Sequence, residues 1–292
     1  RSGTMLLIHP PVVKPCESPA GLAKLAGALR CHGRTCTVVD ANLEGLLYLL
    51  TDKAVTGAAS DTWTRRARNH LQDHLQDLGD WGGYRNRDRY QRSIRDLNRV
   101  LEFSTGRKSG THLTLANYEE KDLSPLRSDD LLAAASLPEA NPFYPYFHGR
   151  LSGLLEALSP PMIGFSLNFL SQALCTFAMM GFLRREYPSV KLVLGGGLVT
   201  SWMSSPNWRN PFSGLVDDMI VGPGEGPLLE LLGSGLDHED CLPDYGDVWK
   251  NPYLAPGFIL PYSASRGCYW RRCAFCPEKA EGQPYTPIPA DR

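Results

Sequence analysis
Short apolar runs alternate with stretches of helical period at both ends of this chain, and a long charged block separates the two halves. The first run, Thr4-Met5-Leu6-Leu7-Ile8-His9, is closed by Pro10-Pro11. Continuous apolar character over so few residues predicts a strand buried on both faces of a parallel sheet. Ser18 and Pro19 offer an N-cap and a first helical position. Leu22, Leu25, Ala26 and Leu29 then recur at helical spacing as far as Gly33, which suits the residue after a helix end. Thr35 to Asp40 reads as the next strand, so the opening segment is a βαβ unit.

The rhythm breaks from about residue 43 to 150, where no strand pattern is seen. Leu43 to Leu50 reads as helix. Residues 61–108 hold eleven Arg/Lys against seven Asp/Glu. Trp63, Leu71, Leu75 and Leu78, and then Ile94, Leu97, Val100 and Leu101, mark the apolar faces of amphipathic helices, with a turn at Gly79 to Gly83 between them. Residues 136–149 combine prolines and aromatics and read as a loop with packed rings. The block is expected to be a helical insertion on the sheet. Its basic excess suits either a solvated face or an anionic substrate.

The α/β alternation returns with a strand at Met162 to Ser166 and a helix over 170–186 that carries Ala173, Phe177, Met180 and Leu183 on one face. Val190 to Leu194 is a strand that runs into Gly195-Gly196-Gly197, and Asp218 to Val221 is another, followed by Gly222-Pro223-Gly224-Glu225-Gly226 and a short helix. Residues 233–257 read as a linker, and Phe258 to Tyr262 as a final apolar strand. Strands alternating with helices predict a doubly wound, Rossmann-like parallel sheet. Ligands of such sheets sit at the carboxyl ends of the strands. Pro10, Pro11, Asp40, Ser166, Gly195 to Gly197 and Gly222 to Gly226 all fall there.

Composition narrows the picture. A length of 292 residues suits about two domains. A net charge of −1 gives no global electrostatic case for nucleic acid or an anionic membrane. No apolar run reaches the ~18 residues that span a bilayer, and no signal-peptide pattern opens the chain. Eight cysteines, three of them clustered, do not resemble the disulfide framework of a small secreted domain. A reducing cytoplasm is the expected compartment.

The clustered three are Cys268, Cys273 and Cys276, spaced C-x4-C-x2-C in Arg266-Gly267-Cys268-Tyr269-Trp270-Arg271-Arg272-Cys273-Ala274-Phe275-Cys276. Thiolates this close, with no histidine among them, suit a soft metal or an iron–sulfur cluster. Three ligands from one loop leave a fourth position open. Zinc would need a fourth protein ligand, and Cys241 is the nearest other cysteine.

This loop resembles the cluster loop of the radical S-adenosylmethionine (SAM) enzymes, although its first gap is one residue longer than their usual spacing. The resemblance implies that Cys268, Cys273 and Cys276 hold three irons of a [4Fe–4S] cluster and that SAM binds the fourth. Phe275 would pack near the SAM adenine. The preceding sheet resembles the cobalamin-binding domain of many of these enzymes. Ser166 matches the serine that ends a middle strand, and Gly195 and Gly196 match the glycine pair after the next. Gly197, Gly224, Glu225, Pro10 and Pro11 complete the implied cobalamin contacts. The D-x-H-x-x-G loop of that domain is missing after the first strand, where His9 stands outside the pattern.

The expectation is a cobalamin-binding-like domain over 1–235 with its insertion, a linker over 236–257, and the start of a radical SAM barrel over 258–292. The resemblance implies reductive SAM cleavage to a 5′-deoxyadenosyl radical and C-methylation of an unactivated carbon. It implies an electron donor such as flavodoxin or ferredoxin and a small-molecule or peptide substrate. The catalytic residues are not identified. The chain begins at Arg1 and stops shortly after Cys276, so it is expected to carry the entrance to the barrel and little of its body. Two other readings stand beside this one: a degenerate scaffold without cobalamin, and a non-catalytic metal-binding module.

Overall fold
The computed structural model describes residues 3–51, 61–105, 110–234, 241–274, 276 and 282–289. Strand β1 (Met5–His9), helix α1 (Ala20–Cys31) and strand β2 (Cys36–Asp40) form the opening βαβ unit. After the insertion come β5 (Met162–Ser166), α9 (Leu170–Glu186), β6 (Lys191–Gly195), α10 (Gly197–Met203), β7 (Asp218–Met219) and α11 (Glu225–Leu231). The five strands make one parallel sheet in the order β2-β1-β5-β6-β7. The chain is therefore α/β with a Rossmann-like sheet, and the strand order reverses between β1 and β5.

Strand side chains alternate between faces, and the two faces build two separate cores. Leu6, Ile8, Ile163, Phe165, Leu192 and Leu194 join the larger core, with α9 and the insertion. Met5, Leu7, Cys36, Val38, Met162 and Val193 join the smaller one, with Leu22, Ala26 and Leu29 of α1 and Leu228 and Leu229 of α11. Each fully buried Leu or Ile contributes about 1.5–3 kcal/mol relative to exposure.

The insertion comprises α2 (Ala41–Thr51), α3 (Thr62–Asn69), α4 (Leu71–Gly79), α5 (Trp81–Arg85), α6 (Arg87–Ser104), α7 (Ser128–Ser136), a 3₁₀ turn (Pro138–Ala140) and α8 (Tyr144–Leu158). Leu97, Val100 and Leu101 of α6 face the larger core. Two of its arginines are engaged internally: Arg99 pairs with Asp61 and Glu102, and Arg89 with Asp77.

Four expectations need correction. The insertion does contain strands, a hairpin of β3 (Thr111–Leu113) and β4 (Tyr118–Glu120). Each is only three residues long, too short to show alternation, and the turn is closed by Thr114 and Asn117. Residues 144–149 are helix rather than loop, because Pro145 sits in the first turn of α8, where no backbone N–H is needed. Pro19, not Ser18, holds the N-cap position of α1, and the Ser18 hydroxyl is buried without a partner. Residues 258–262 form no strand. Phe258 packs instead against Trp249, Tyr245 and Tyr253, while Leu260 and Tyr262 stand exposed.

The expected linker is a strap laid over α1. Asp244 N–H donates to Ala23 O, and Arg30 grips both Asp244 (2.8 Å) and Asp247 (2.6 Å). A Cβ on Gly27 would lie 2.0 Å from Leu242 O, so only glycine lets the strap approach this closely. Further on, buried Tyr253 donates its hydroxyl to Asp40 Oδ2 at 2.8 Å, fastening the strap to the end of β2. Tyr253→Phe should cost about 1.5–3 kcal/mol, the range for a hydrogen bond to a charged group. A lower urea midpoint at unchanged slope is the expected result.

Candidate functional site
Helices α1 and α11 pack on the same face of the sheet, and these two helices leave part of it open. Between them lies a cavity of about 900 Å³. Its floor is the sheet itself: Leu7 of β1, Gly164 of β5, Val193 of β6 and Ile220 after β7. Gly164 keeps that floor low, since even a Cβ there would come within 3.0 Å of Met5 Cε and 3.1 Å of Leu7 Cδ2. Helix α1 supplies one wall through Gly21, Lys24 and Leu25, and the strap supplies another through Cys241, Leu242 and Pro243. The position next to the β1/β5 reversal is where doubly wound sheets bind ligands.

The rim at the strand ends is polar and built on backbone. Asn168, two residues past β5, joins its parts: Nδ2 donates to Ser166 Oγ (3.0 Å), and Oδ1 accepts from Gly197 N–H (2.9 Å). Gly196 has φ +112°, and a Cβ would lie 2.3 Å from Leu167 O, so this turn requires glycine. Across the mouth, Lys24 and Glu225 pair at 2.7 Å. Gly224 packs directly on Leu25.

Ser166, Gly195, Gly196, Gly197, Gly224 and Glu225 are thus brought together around one cavity. Pro10 and Pro11 do not line it. Their segment is drawn toward α9, where Gln172 Nε2 donates to Pro10 O (2.7 Å) and Ser171 Oγ to Val12 O (2.8 Å). Phe275 lies outside the described residues. Asn168 was not singled out from the sequence, and nothing but its place just after a strand end marks it. Lys24 was equally hidden, because its place depends on how α1 and α11 meet.

The cysteine loop begins at the cavity. Arg266 and Gly267 line the rim, and Cys268 follows them. Strand β8 (Ser265–Arg266) pairs antiparallel with β9 (Thr286–Pro287), closing the loop at its neck. Gly267 (φ +65°) lets the 283–284 backbone approach, since a Cβ would lie 2.5 Å from Pro284 O. Cys268, Cys273 and Cys276 are half-buried free thiols. Their sulfurs do not converge to the spacing of a single-ion site. A cubane cluster holds its thiolates farther apart than one ion does.

His9 and Asp40 end neighbouring strands and are both buried. Burial holds the His9 imidazole below the ordinary histidine range, offset only in part by the charge of Asp40. Burial pushes the Asp40 carboxyl upward, opposed by His9, the Leu43 N–H and the Tyr253 hydroxyl. No helix among the described residues is long and apolar enough to cross a membrane. Compared with known protein families, curated proteins and solved structures, the chain matches none.

His9 should therefore be neutral in the folded chain at pH 7 and titrate below about 6.5, the unperturbed value. The sign follows from linkage: below about 6.5 the unfolded chain takes up a proton that the folded chain refuses, so His9 lowers stability as pH falls. A ring-nitrogen NMR titration of His9 with its midpoint below about 6.5 is the expected outcome.

Proposed function
We propose that this chain presents cofactors in a cobalamin-dependent radical SAM enzyme, with cobalamin in the sheet cavity and a [4Fe–4S] cluster with SAM at the cysteine loop. The observation that carries the reading is the adjacency of the two sites: the loop's neck, Arg266 and Gly267, lies on the rim of the cavity bounded by Ser166 and Gly195 to Gly197. The cavity falls within the usual 300–1,000 Å³ of organic-ligand sites, and it pairs an apolar floor with a small polar rim. Three thiolates from one loop, with no histidine among them, are the donor set of an iron–sulfur cluster.

When bound, these groups supply reductive cleavage of SAM and transfer of a methyl group to carbon, the hard chemistry that cofactors carry. The chain's own residues bind and orient. Leu7, Gly164 and Val193 offer apolar surface for a buried ligand tail. Ser166 and Asn168 offer a hydroxyl and an amide at the rim, and the glycine turn lets backbone approach a bulky ring system. Phe275 keeps the role that the resemblance gives it, beside the SAM adenine. An external electron donor such as flavodoxin or ferredoxin and a small-molecule or peptide substrate belong to the same reading. The missing D-x-H-x-x-G loop favours a second one, in which the domain is a scaffold without cobalamin.

Anaerobic reconstitution should give about four irons per chain with a charge-transfer band near the visible edge. The Cys268→Ala/Cys273→Ala/Cys276→Ala variant should give essentially none, and unchanged iron there would sink the cluster assignment. Cobalamin binding, followed by its visible absorption, should be saturable. Gly164→Val fills the cavity floor, and cobalamin affinity should fall about tenfold or more. No binding by the unaltered chain would leave the scaffold reading standing.

A further inference from the structure
A second set of soft ligands meets on the opposite end of α1 from the strand-end rim. Cys31 Sγ, a ring nitrogen of His32 and Cys241 Sγ all lie within 4.8 Å of one another. Among the described residues this is the one group of three such side chains that converges so closely. Cys31 is the last residue of α1, His32 is its C-cap, and Cys241 comes from the strap, far away in sequence.

Tetrahedral zinc, with Zn–S of about 2.3 Å and Zn–N of about 2.0 Å, sets its ligand atoms roughly 3.5–3.8 Å apart. The three ligand atoms lie within 4.8 Å of one another, about an ångström wider than that spacing. His32 Nδ1 lies 2.8 Å from Ala28 O. An N–H donated to that carbonyl leaves Nε2 with its lone pair, the tautomer and support that ligating histidines ordinarily have. Two thiolates and an imidazole are a zinc donor set.

The surroundings fit an open zinc site of three protein ligands, the kind that keeps its fourth position for water, unlike a closed structural site with four. The strap already lies tightly on α1 where Leu242 O meets Gly27, and Arg30 holds it at Asp244 and Asp247. Its beginning, at Cys241, is the part next to the cavity wall formed by Leu242 and Pro243. We propose that Cys31, His32 and Cys241 bind a zinc ion that fastens the start of the strap to the end of α1, leaving a fourth position for water. This site uses no residue of the cysteine loop, although Cys241 also stands in the cavity wall.

The test uses Co(II) as probe, titrated anaerobically into the full chain carrying Cys268→Ala, Cys273→Ala and Cys276→Ala, so that the loop contributes no thiolate. The expected result is about one equivalent bound with a thiolate-to-cobalt band in the near ultraviolet, displaced by Zn(II). Adding Cys31→Ser and Cys241→Ser should abolish the band, and His32→Ala should weaken binding about 10-fold or more. No thiolate band, a band that survives Cys31→Ser with Cys241→Ser, or a Cys31–Cys241 disulfide in the freshly isolated protein would each overturn the proposal. If the triple alanine chain does not fold, Cys31→Ser with Cys241→Ser in the otherwise unaltered chain decides it by zinc content after zinc loading: a loss of about one equivalent supports the site, and an unchanged content overturns it.

Discussion
Right-handedness of parallel crossovers is the constraint on which this structure rests. The chain leaves β1 through α1 to reach β2 on one side. It then reverses direction, and every later step, β2 to β5, β5 to β6 and β6 to β7, runs the other way across the sheet. Crossovers of one hand that run in opposite directions lie on opposite faces. The insertion, α9 and α10 are therefore committed to one face, and α1 waits on the other until α11 returns beyond β7. The crowded face closes into a continuous core around Ile8, Phe165 and Leu194. The sparse face cannot close, and the cavity is what remains.

That sparse face explains why glycine matters at two positions in different ways. At Gly164 the missing side chain leaves depth over β5, with Met5 and Leu7 already pressed close. At Gly27 the missing side chain lets the strap lie down on α1, giving the cavity its outer wall. One glycine opens the space and the other bounds it. Neither position is at a turn, and neither has a positive φ, so steric closeness rather than backbone freedom is the reason for glycine at both.

Much of the α/β frame was legible in the sequence because its strands are continuous apolar runs and its helices keep a clear period. Helix α9 falls on 170–186 as expected, but it is buried on every side from Gln172 to Leu183 rather than along the one face of Ala173, Phe177, Met180 and Leu183. The features that escaped share a physical cause. The β3–β4 hairpin is too short for a period, and α8 begins with Phe143-Tyr144-Pro145, residues that read as a loop until the proline is placed in a first turn. The apolar run 258–262 looked like a strand, but a strand exists only with a partner, and Phe258 found aromatic neighbours instead. The rim glycines and Ser166 were visible as strand-end residues. Asn168 and Lys24 were not, since their place in the site comes from long-range packing.

The same long-range packing separates the cysteines of this chain into different environments. Cys175 is sealed among apolar side chains, and burial pushes its thiol well up, toward an inert role. Cys36 is buried in the smaller core, where burial again raises the thiol while Arg30 opposes it. Cys268, Cys273 and Cys276 are neither sealed nor paired, and they sit on a loop whose base is fixed by the β8–β9 pair and by the Gly267 approach. Cys31 and Cys241 are different again, held by the end of a helix and by a strap that is itself clamped by Arg30. Cysteines that look alike in the sequence are thus sorted by long-range packing into sealed, loop-borne and clamped positions.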